Sequence, residues 1–478
     1  MTGSLLADRV AYGNHVSGCE AMLHSDTILS LTNLKQERKV LMDKEFAKDQ
    51  AVRISSFNGI DVYRISTEKF KTSSIHFFFQ DNLTRESVTK NALLPAVMRR
   101  GSEEYQTLRD ISIELEKLYG ASFDCGVTKK GERHIIHFYV EFLSPKFIPD
   151  GIDSFTRGFE LLFNIISRPL LENGRFREDY LSQEKDKLKM LIESRVNDKM
   201  QYSVDRCLEE TCRNEPYAIF DYGFAEDIQP ISAENLMNHY RAMMECFPLQ
   251  VYLAGSITEQ QEQLVKERLS GMIRRNVVAL QNGFSNKHEM EPRTVTETMN
   301  VTQGKLCLGF RTNTEPGGTE YPALMVYNGI LGGGIQSKLF QNVREKASLA
   351  YYSYSRLEKF KGLMVISSGI ETGNKEKALE IILKQMEDIK NGVITDVEME
   401  AAVKGIETGI KSLSDSQINM VDFYLSQTIS QTQDHFSDVI EKVKMVTRED
   451  IIHAAQRIVL DTVYFLTAPA DGGEEMVQ

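Results

Sequence analysis

Arg344 and Tyr351 are the two side chains whose types and spacing point most directly to binding chemistry. They lie in the segment 331–351, LGGGIQSKLFQNVREKASLAY, in which Gly332–Gly334 precede apolar residues at helical spacing. A tyrosine-rich strand is predicted over 349–354. Arg344 would then lie at a helix end and Tyr351 at a strand start, close enough to bind one ligand. A guanidinium and a phenol can both donate hydrogen bonds that stabilise negative charge on a carbonyl oxygen.

Two features of this segment allow alternative interpretations. Arg344 could form a surface ion pair while Tyr351 packs within its sheet, because an arginine and a tyrosine seven residues apart are common. The three glycines Gly332, Gly333 and Gly334 form either a flexible loop that touches a substrate or a helix entrance with unusual backbone angles.

The elements around this segment occur twice along the chain. In both halves the order is helix, strand, strand, helix, a glycine-containing break and a long helix. RFREDYLSQEKDKLKMLI follows Gly174, and VITDVEMEAAVKGIETGI follows Gly392. Internal duplication explains this order. We therefore predict a first domain over 51–270, a polar linker over 271–293 and a second domain over 294–470.

The predicted fold is α+β, with two homologous domains. Each should contain an antiparallel or mixed sheet that carries helices mainly on one face. Residues 1–50 form an N-terminal extension to which no structure is assigned, and 471–478 form a tail.

Composition argues against several classes of function. The net charge of −12 argues against nucleic-acid binding, which needs a concentrated basic surface, and mildly favours basic or neutral peptides. No apolar run approaches the roughly 20 residues of a membrane helix, and the N-terminus lacks the pattern of a signal peptide. The six cysteines are scattered and include no C-x-x-C. This pattern disfavours a zinc ribbon or a redox dithiol and is typical of free thiols in a reducing cytoplasm. We expect a soluble, cytoplasmic protein.

His134 and His137 are the one close pair among the nine histidines. They fall on a predicted strand, where side chains three positions apart point to opposite faces. Joint metal binding is therefore disfavoured, and we predict a structural role for both.

The duplicated halves and four sequence features together resemble the pitrilysin/insulinase family of zinc peptidases over residues 55–470. These features are the window ALLPAVMRRGSEEY, the acidic helix around Glu184, the peptide around Pro216-Tyr217, and REKASLAY. The resemblance is to the bacterial, non-catalytic YmfF-like branch. It implies that the chain forms half of a clamshell chamber.

The resemblance also implies that this chain has lost its zinc site. Active members carry H-x-x-E-H, in which two histidines one helical turn apart hold the metal and a glutamate activates its water. Here the window reads ALLPA, with Ala92, Pro95 and Ala96 at the degenerate positions, and no H-x-x-E-H occurs elsewhere. The family's third ligand, a downstream glutamate, is matched by Glu184. A single carboxylate cannot hold zinc, so we interpret Glu184 as a solvated helix charge.

The resemblance assigns Arg344 and Tyr351 to the family's second-domain pair, which reaches across the chamber to the substrate. We therefore expect a catalytically silent subunit of a heterodimeric peptidase. It would bind no cofactor itself, a zinc-bearing homologue would bring the metal, and a peptide would be the substrate. The alternative is a non-proteolytic peptide- or protein-binding scaffold, linked through this branch to elongation factor P modification. A self-sufficient metalloenzyme with an unrecognised site is a third hypothesis.

Overall fold

The Asn58-Gly59 dipeptide begins the described fold with the hairpin that its sequence predicts. The computed structural model of the protein describes residues 49–149, 151–281, 283–284 and 291–469. Strands β1 (Ala51–Phe57) and β2 (Ile60–Ser66) pair antiparallel on either side of the turn. Asn58 has φ 48° and Gly59 has φ 76°, the two positive angles of a type I′ turn. The predicted N-terminal extension and tail lie outside the described residues, apart from Asp49 and Gln50.

The first sheet has six strands in the order β1-β2-β8-β3-β5-β4. Only the β2–β8 pair is parallel. The remaining strands are β3 (Thr72–Asn82), β4 (Ser122–Lys130), β5 (Arg133–Leu143) and β8 (Leu249–Gly255), and a separate two-stranded hairpin consists of β6 (Leu171–Glu172) and β7 (Arg175–Phe176).

Seven helices belong to the first half of the described chain. They are α1 (Arg85–Met98), α2 (Leu108–Lys117), α3 (Ser154–Ser167), α4 (Glu178–Ser194), α5 (Lys199–Thr211), α6 (Ala233–Cys246) and α7 (Glu259–Ser270). Alternate residues of β3, such as Phe77 and Phe79, are fully buried in one core with Leu93 of α1 and Phe159 of α3. The strand period of two thus presents an aromatic face to helices whose apolar residues recur every three or four positions.

The second sheet has five strands in the order β11-β12-β10-β13-β9, with only β13 and β9 parallel. Its strands are β9 (Arg293–Thr298), β10 (Gly304–Arg311), β11 (Ala350–Glu358), β12 (Leu363–Ile370) and β13 (Val459–Thr467). The helices of this half are α8 (Tyr321–Gly332), α9 (Lys375–Lys390), α10 (Asp396–Leu413), α11 (Gln417–Ile429), α12 (Phe436–Lys444) and α13 (Arg448–Arg457), together with a π-helix over Phe340–Lys346.

The predicted α+β fold with two sheet-containing domains is confirmed. The order of elements around each long helix recurs as expected, and the second long helix begins at Asp396 and ends at Leu413 as predicted. Strands β9 and β13 and helices α11, α12 and α13 were not predicted from the sequence. None of the helices among the described residues is both long and apolar enough to cross a membrane.

Each half contributes one helix to the sheet of the other half. Helix α5 packs on the second sheet, where Val204 and Leu208 share a core with Val365 and Tyr464. A Cβ at Gly309 of β10 would collide with the Thr211 hydroxyl, so this packing requires a glycine.

Helix α11 contacts the first sheet in return. Gln417 donates a hydrogen bond to the Thr72 carbonyl at 2.8 Å, and the Thr428 hydroxyl donates one to Gln250 at 3.1 Å. We expected each sheet to carry helices mainly on one face. That expectation holds for the helices of the same half, but each sheet is also contacted by a helix from the other half.

A buried charge network joins the two halves beside these exchanged helices. The Lys361 side chain is only 1% exposed, and its Nζ lies 2.5 Å from carboxylate oxygens of both Glu132 and Glu215. Arg311 donates to Glu215 at 2.6 Å and to Asp461 at 3.1 Å. Two carboxylates of the first half thus pair with two cations of the second half, in a region where an unpaired charge would be strongly unfavourable.

We expect Lys361→Met to lower the free energy of unfolding by about 3–5 kcal/mol, because it removes the buried cation that compensates the part-buried carboxylates of Glu132 and Glu215. Urea denaturation followed by circular dichroism measures the change. Lys384→Met is the matched control, since its pair with Asp388 is exposed and should contribute at most about 1 kcal/mol. Equal midpoints for the two variants would contradict the importance of the network.

Glu215 should make the stability of the fold sensitive to acid. Burial raises the pKa of Glu215, but the hydrogen bonds and charges of Arg311 and Lys361 outweigh burial and hold that pKa below its ordinary value of 4.5. A carboxylate with a depressed folded-state pKa stabilises the fold above its unfolded-state pKa, and that stability is lost as the pH falls through the folded-state pKa. Glu215→Gln should therefore lose less stability than the wild type between neutral pH and about pH 3. Parallel pH profiles of the urea midpoint would refute this role.

Candidate functional site

The glycine segment that opens the candidate site lacks the positive φ angles that glycine alone readily adopts. Gly332 is the last residue of α8, Gly333 has φ −86° and ψ 8°, and none of the three glycines has a positive φ. The alternative of a helix entrance with unusual backbone angles is therefore wrong. A Cβ at Gly332 would collide with Ser355, so this glycine allows α8 to pack closely against β11. Nothing lies within 4 Å of a Cβ at Gly334.

The helix that carries Arg344 is a π-helix over Phe340–Lys346 rather than the predicted α-helix. The Ala347 N–H donates to the Asn342 carbonyl at 3.3 Å, which is the five-residue spacing of this helix type. π-Helical turns are rare and are found frequently at functional sites. Val343 is fully buried, and the next side chain, Arg344, is exposed.

Among the residues that the structure describes, Arg344 makes only weak contacts. Its guanidinium lies 4.7 Å from the centre of the Phe340 ring, and its Nε lies 3.7 Å from Glu345 Oε1. Both partners are close in sequence, and 44% of the Arg344 side chain is exposed. The alternative of a surface ion pair is thus met by Glu345, but at this distance and exposure the pair contributes little and leaves the guanidinium able to bind a ligand.

Tyr351 occupies a bulge in β11. Ala350 pairs with Ile370 and Tyr352 pairs with Gly369, so Tyr351 is the extra residue between two consecutive pairs. Such bulges re-aim a side chain and are common beside active sites. Tyr351 is 57% exposed, and it has no hydrogen-bond partner in the part of the chain that the structure describes. The alternative that Tyr351 packs within the sheet is therefore wrong.

The degenerate zinc window lies in α1 and contains no metal ligand. Ala92 and Pro95 are buried and Ala96 is half-buried. The Pro95 carbonyl accepts a hydrogen bond from the Cys125 thiol at 3.3 Å, and burial raises the pKa of that thiol to about 12. The described residues contain no group of three or more His, Cys, Asp or Glu side chains that could hold a metal. The residues at this position do not fit zinc.

Glu184 is buried rather than solvated, so the interpretation as a solvated helix charge is wrong. It is 6% exposed and accepts hydrogen bonds from Arg100 at 3.0 Å and from Lys187 at 2.7 Å. Arg100 also donates to Gln183 at 2.9 Å and stacks over the Tyr180 ring at 4.4 Å. The Glu184 carboxylate therefore has Arg100 as its buried cation. Gln183 and Tyr180, which lie on the same helix as Glu184, fix the position of the Arg100 guanidinium.

His134 and His137 contact different parts of the structure, as predicted from strand geometry. His134 Nδ1 lies 3.1 Å from the Asn91 amide, and Asn91 also bonds His239 at 2.6 Å. Burial lowers the pKa values of His134 and His239 to about 4, so both are neutral at physiological pH. The His137 ring instead packs over Gly126. Asn91 and His239 were not predicted, because they come together only through the packing of α1 and α6 on β5.

Comparison with known proteins places the chain in a family. The sequence pattern of the family described as "Peptidase M16 inactive domain" matches residues 230–406. A Bacillus subtilis (strain 168) protein described as "Probable inactive metalloprotease YmfF" is 37% identical over 412 residues, which cover 86% of this chain and 96% of that protein. The chain belongs to the M16 peptidase family. The resemblance to the YmfF-like branch of the pitrilysin/insulinase family is confirmed, and the chain is an inactive homologue of the M16 metallopeptidases.

Two further relatives of this M16 chain differ in what they share with it. The "Uncharacterized zinc protease YmxG" of B. subtilis (strain 168) is 34% identical over 116 residues, covering 24% of this chain and 28% of that protein. The crystal structure of a conserved protein from Enterococcus faecalis V583 superposes with a TM-score of 0.82 and 28% identity, covering 89% of this chain and all of that one. The whole two-sheet architecture is therefore shared with a solved structure, whereas the likeness to YmxG is local.

A double-mutant cycle should detect the buried Arg100–Glu184 pair. Arg100→Met should destabilise the protein by about 3 kcal/mol, because Glu184 then lacks its buried cation. Adding Glu184→Gln removes the uncompensated charge. The double mutant should therefore be more stable than the sum of the two single effects predicts, by a coupling energy of about 1.5–3 kcal/mol measured by urea denaturation. Lys187→Met is the control, since that lysine is 57% exposed. Additive effects of the two substitutions would contradict the pair.

Proposed function

We propose that this chain is the zinc-free subunit of a two-chain peptidase and that it presents Arg344 and Tyr351 to the peptide substrate. The observation that carries the proposal is the contrast between the two halves. The carboxylate matched to the family's third zinc ligand is buried against Arg100, whereas Arg344 and Tyr351 are exposed on irregular backbone. In this proposal the first domain (51–270) has lost the metal and the second (294–470) retains the substrate-binding pair.

In this proposal the first domain has lost the residues that bind zinc and activate water, but it has kept the fold. Hydrolysis by this family needs a metal-bound water and a base, and the window that would supply them holds Ala92, Pro95 and Ala96. A partner chain with H-x-x-E-H would supply both and would close the other half of the clamshell chamber. The likeness to a protein described as a zinc protease supports a zinc-bearing homologue as the partner.

The second domain offers two hydrogen-bond donors to a peptide bound in the chamber. The Arg344 guanidinium and the Tyr351 hydroxyl can each donate a hydrogen bond to a peptide carbonyl oxygen, and the bond strengthens as negative charge develops there. Gly334, whose surroundings are open, and the 66% exposed Ile335 would border the bound peptide. The net charge of −12 favours encounter with neutral or basic peptides. Free thiols at Cys207, Cys212 and Cys307 are consistent with a cytoplasmic location.

Reconstitution with the zinc-bearing M16 homologue that co-purifies from the native cell tests the proposal. The isolated chain should contain no stoichiometric zinc, and the mixture should cleave a peptide library in a chelator-sensitive manner. Arg344→Ala should lower kcat by about a hundredfold to a thousandfold, the effect of removing one oxyanion donor. Tyr351→Phe should act in the same direction because it removes only the hydroxyl.

Neighbouring residues provide matched controls for these variants. Lys346→Ala removes a positive charge from the same π-helix, where Lys346 bonds only Asn342 at 3.0 Å. Tyr352→Phe removes the hydroxyl of the adjacent, half-buried tyrosine. Full activity of the partner without this chain would refute the proposal. Peptide binding that is unaffected by Arg344→Ala and Tyr351→Phe, without cleavage, would instead support a non-proteolytic scaffold, such as one in elongation factor P modification.

A further inference from the structure

A large cavity in the second half is separate from the Arg344–Tyr351 site. Its volume is about 820 Å³, and it lies between the loop before α8, the end of α10 and helices α11, α12 and α13. Apolar side chains from three helices line it, Met325, Ile410 and Phe423, together with Val446 from the connection between α12 and α13. This size falls within the range of small-molecule sites, which are typically apolar clefts with a few polar groups. No residue of the segment 331–351 contributes to its wall.

Lys359 is the polar group in this wall that lacks a partner of opposite charge. Its ammonium lies 5.5 Å from the centre of the Tyr321 ring and 5.6 Å from that of Phe360. The ammonium forms no ion pair or hydrogen bond with any residue that the structure describes. Burial lowers the pKa of Lys359 to about 8; the charge of Lys130 lowers it further, whereas that of Asp434 raises it. The aromatic contacts therefore do not fully compensate the ammonium for lost hydration.

Three carboxylates in the cavity wall are paired with other cations. Asp422 lies 2.7 Å from Lys130, and Asp434 lies 2.6 Å from Lys442. Glu320 pairs with Arg457. Lys359 is thus left as a cation beside an apolar space, without a carboxylate among the described residues to neutralise it.

We propose that this cavity binds an amphipathic monocarboxylate, with its carboxylate on the Lys359 ammonium and its apolar body against Met325 and Phe423. Two molecules share this chemistry: a free fatty acid, and a peptide whose C-terminal residue is apolar. The ligand carboxylate would supply the negative partner that the Lys359 ammonium lacks. The apolar walls would exclude water from this ion pair, and a charge-assisted hydrogen bond is stronger where water is excluded.

Isothermal titration calorimetry of the full-length chain with octanoate and with 1-octanol tests the proposal. The carboxylate should bind at least about tenfold more tightly than the neutral alcohol, as a charge-assisted hydrogen bond predicts. Lys359→Met should weaken octanoate binding by about tenfold or more without changing the affinity for 1-octanol. Lys359→Arg keeps the charge and should retain most of the octanoate affinity. Lys384→Met, an exposed lysine of α9, controls for net charge, and thermal melting confirms that each variant is folded.

A second pair of probes identifies the source of the carboxylate. N-acetyl-leucyl-phenylalanine is compared with the corresponding amide. Tighter binding of the acid, abolished by Lys359→Met, would identify a peptide C-terminus as a ligand, whereas binding of octanoate alone would identify a fatty acid. Equal binding of acid and neutral forms, octanoate binding unchanged in Lys359→Met, or no binding of any carboxylate would overturn the proposal. None of these outcomes depends on peptidase activity, so this test can fail without affecting the proposed function.

Discussion

The buried ion pairs of Lys361 and Arg311 constrain how the two halves of this protein fit together. These charges tolerate little displacement, since moving either half would separate the buried Lys361 and Arg311 from carboxylates such as Glu215. In the same arrangement, α5 of the first half packs on the second sheet, and α11 of the second half contacts the first sheet. One face of the second sheet therefore has its hydrophobic core completed by a helix of the first half, and the first sheet is contacted by a helix of the second half.

This shared construction explains how the first domain can lose its metal chemistry and keep its fold. A buried carboxylate needs a positive partner, and in a chain without the two histidines Arg100 provides it for Glu184. Arginine suits the position because its planar guanidinium can bond Glu184 and Gln183 while it stacks on Tyr180. The second domain shows the opposite pattern. There the irregular backbone at the π-helix and at the Tyr351 bulge leaves polar side chains exposed, which is the usual condition of a surface that binds a ligand.

Local sequence determined most elements of the fold and the identity of the candidate site. The Asn58-Gly59 turn, the aromatic strand β3 and the long helix from Asp396 follow from turn chemistry and from hydrophobic periodicity, which act over a few residues. The duplication could be recognised because it repeats the order of elements. The absence of H-x-x-E-H could be established from residue types alone, since neither alanine nor proline can bind zinc. Arg344 and Tyr351 were found through a family resemblance rather than through their spacing, which is uninformative.

Only the tertiary structure decided how these residues are used. An exposed position is the default for a helical glutamate, and nothing near Glu184 in sequence indicates that Arg100, on another helix, buries and neutralises it. The π-helix that carries Arg344 packs against β11 and α9, and the extra residue at Tyr351 lies where β11 pairs with β12. Local propensity alone suggested a regular helix and strand. Charge pairing and helix packing act between residues that are far apart in sequence but adjacent in space. For that reason the sequence determined which groups this protein has, and the tertiary structure decided which of them are buried and which can bind a ligand.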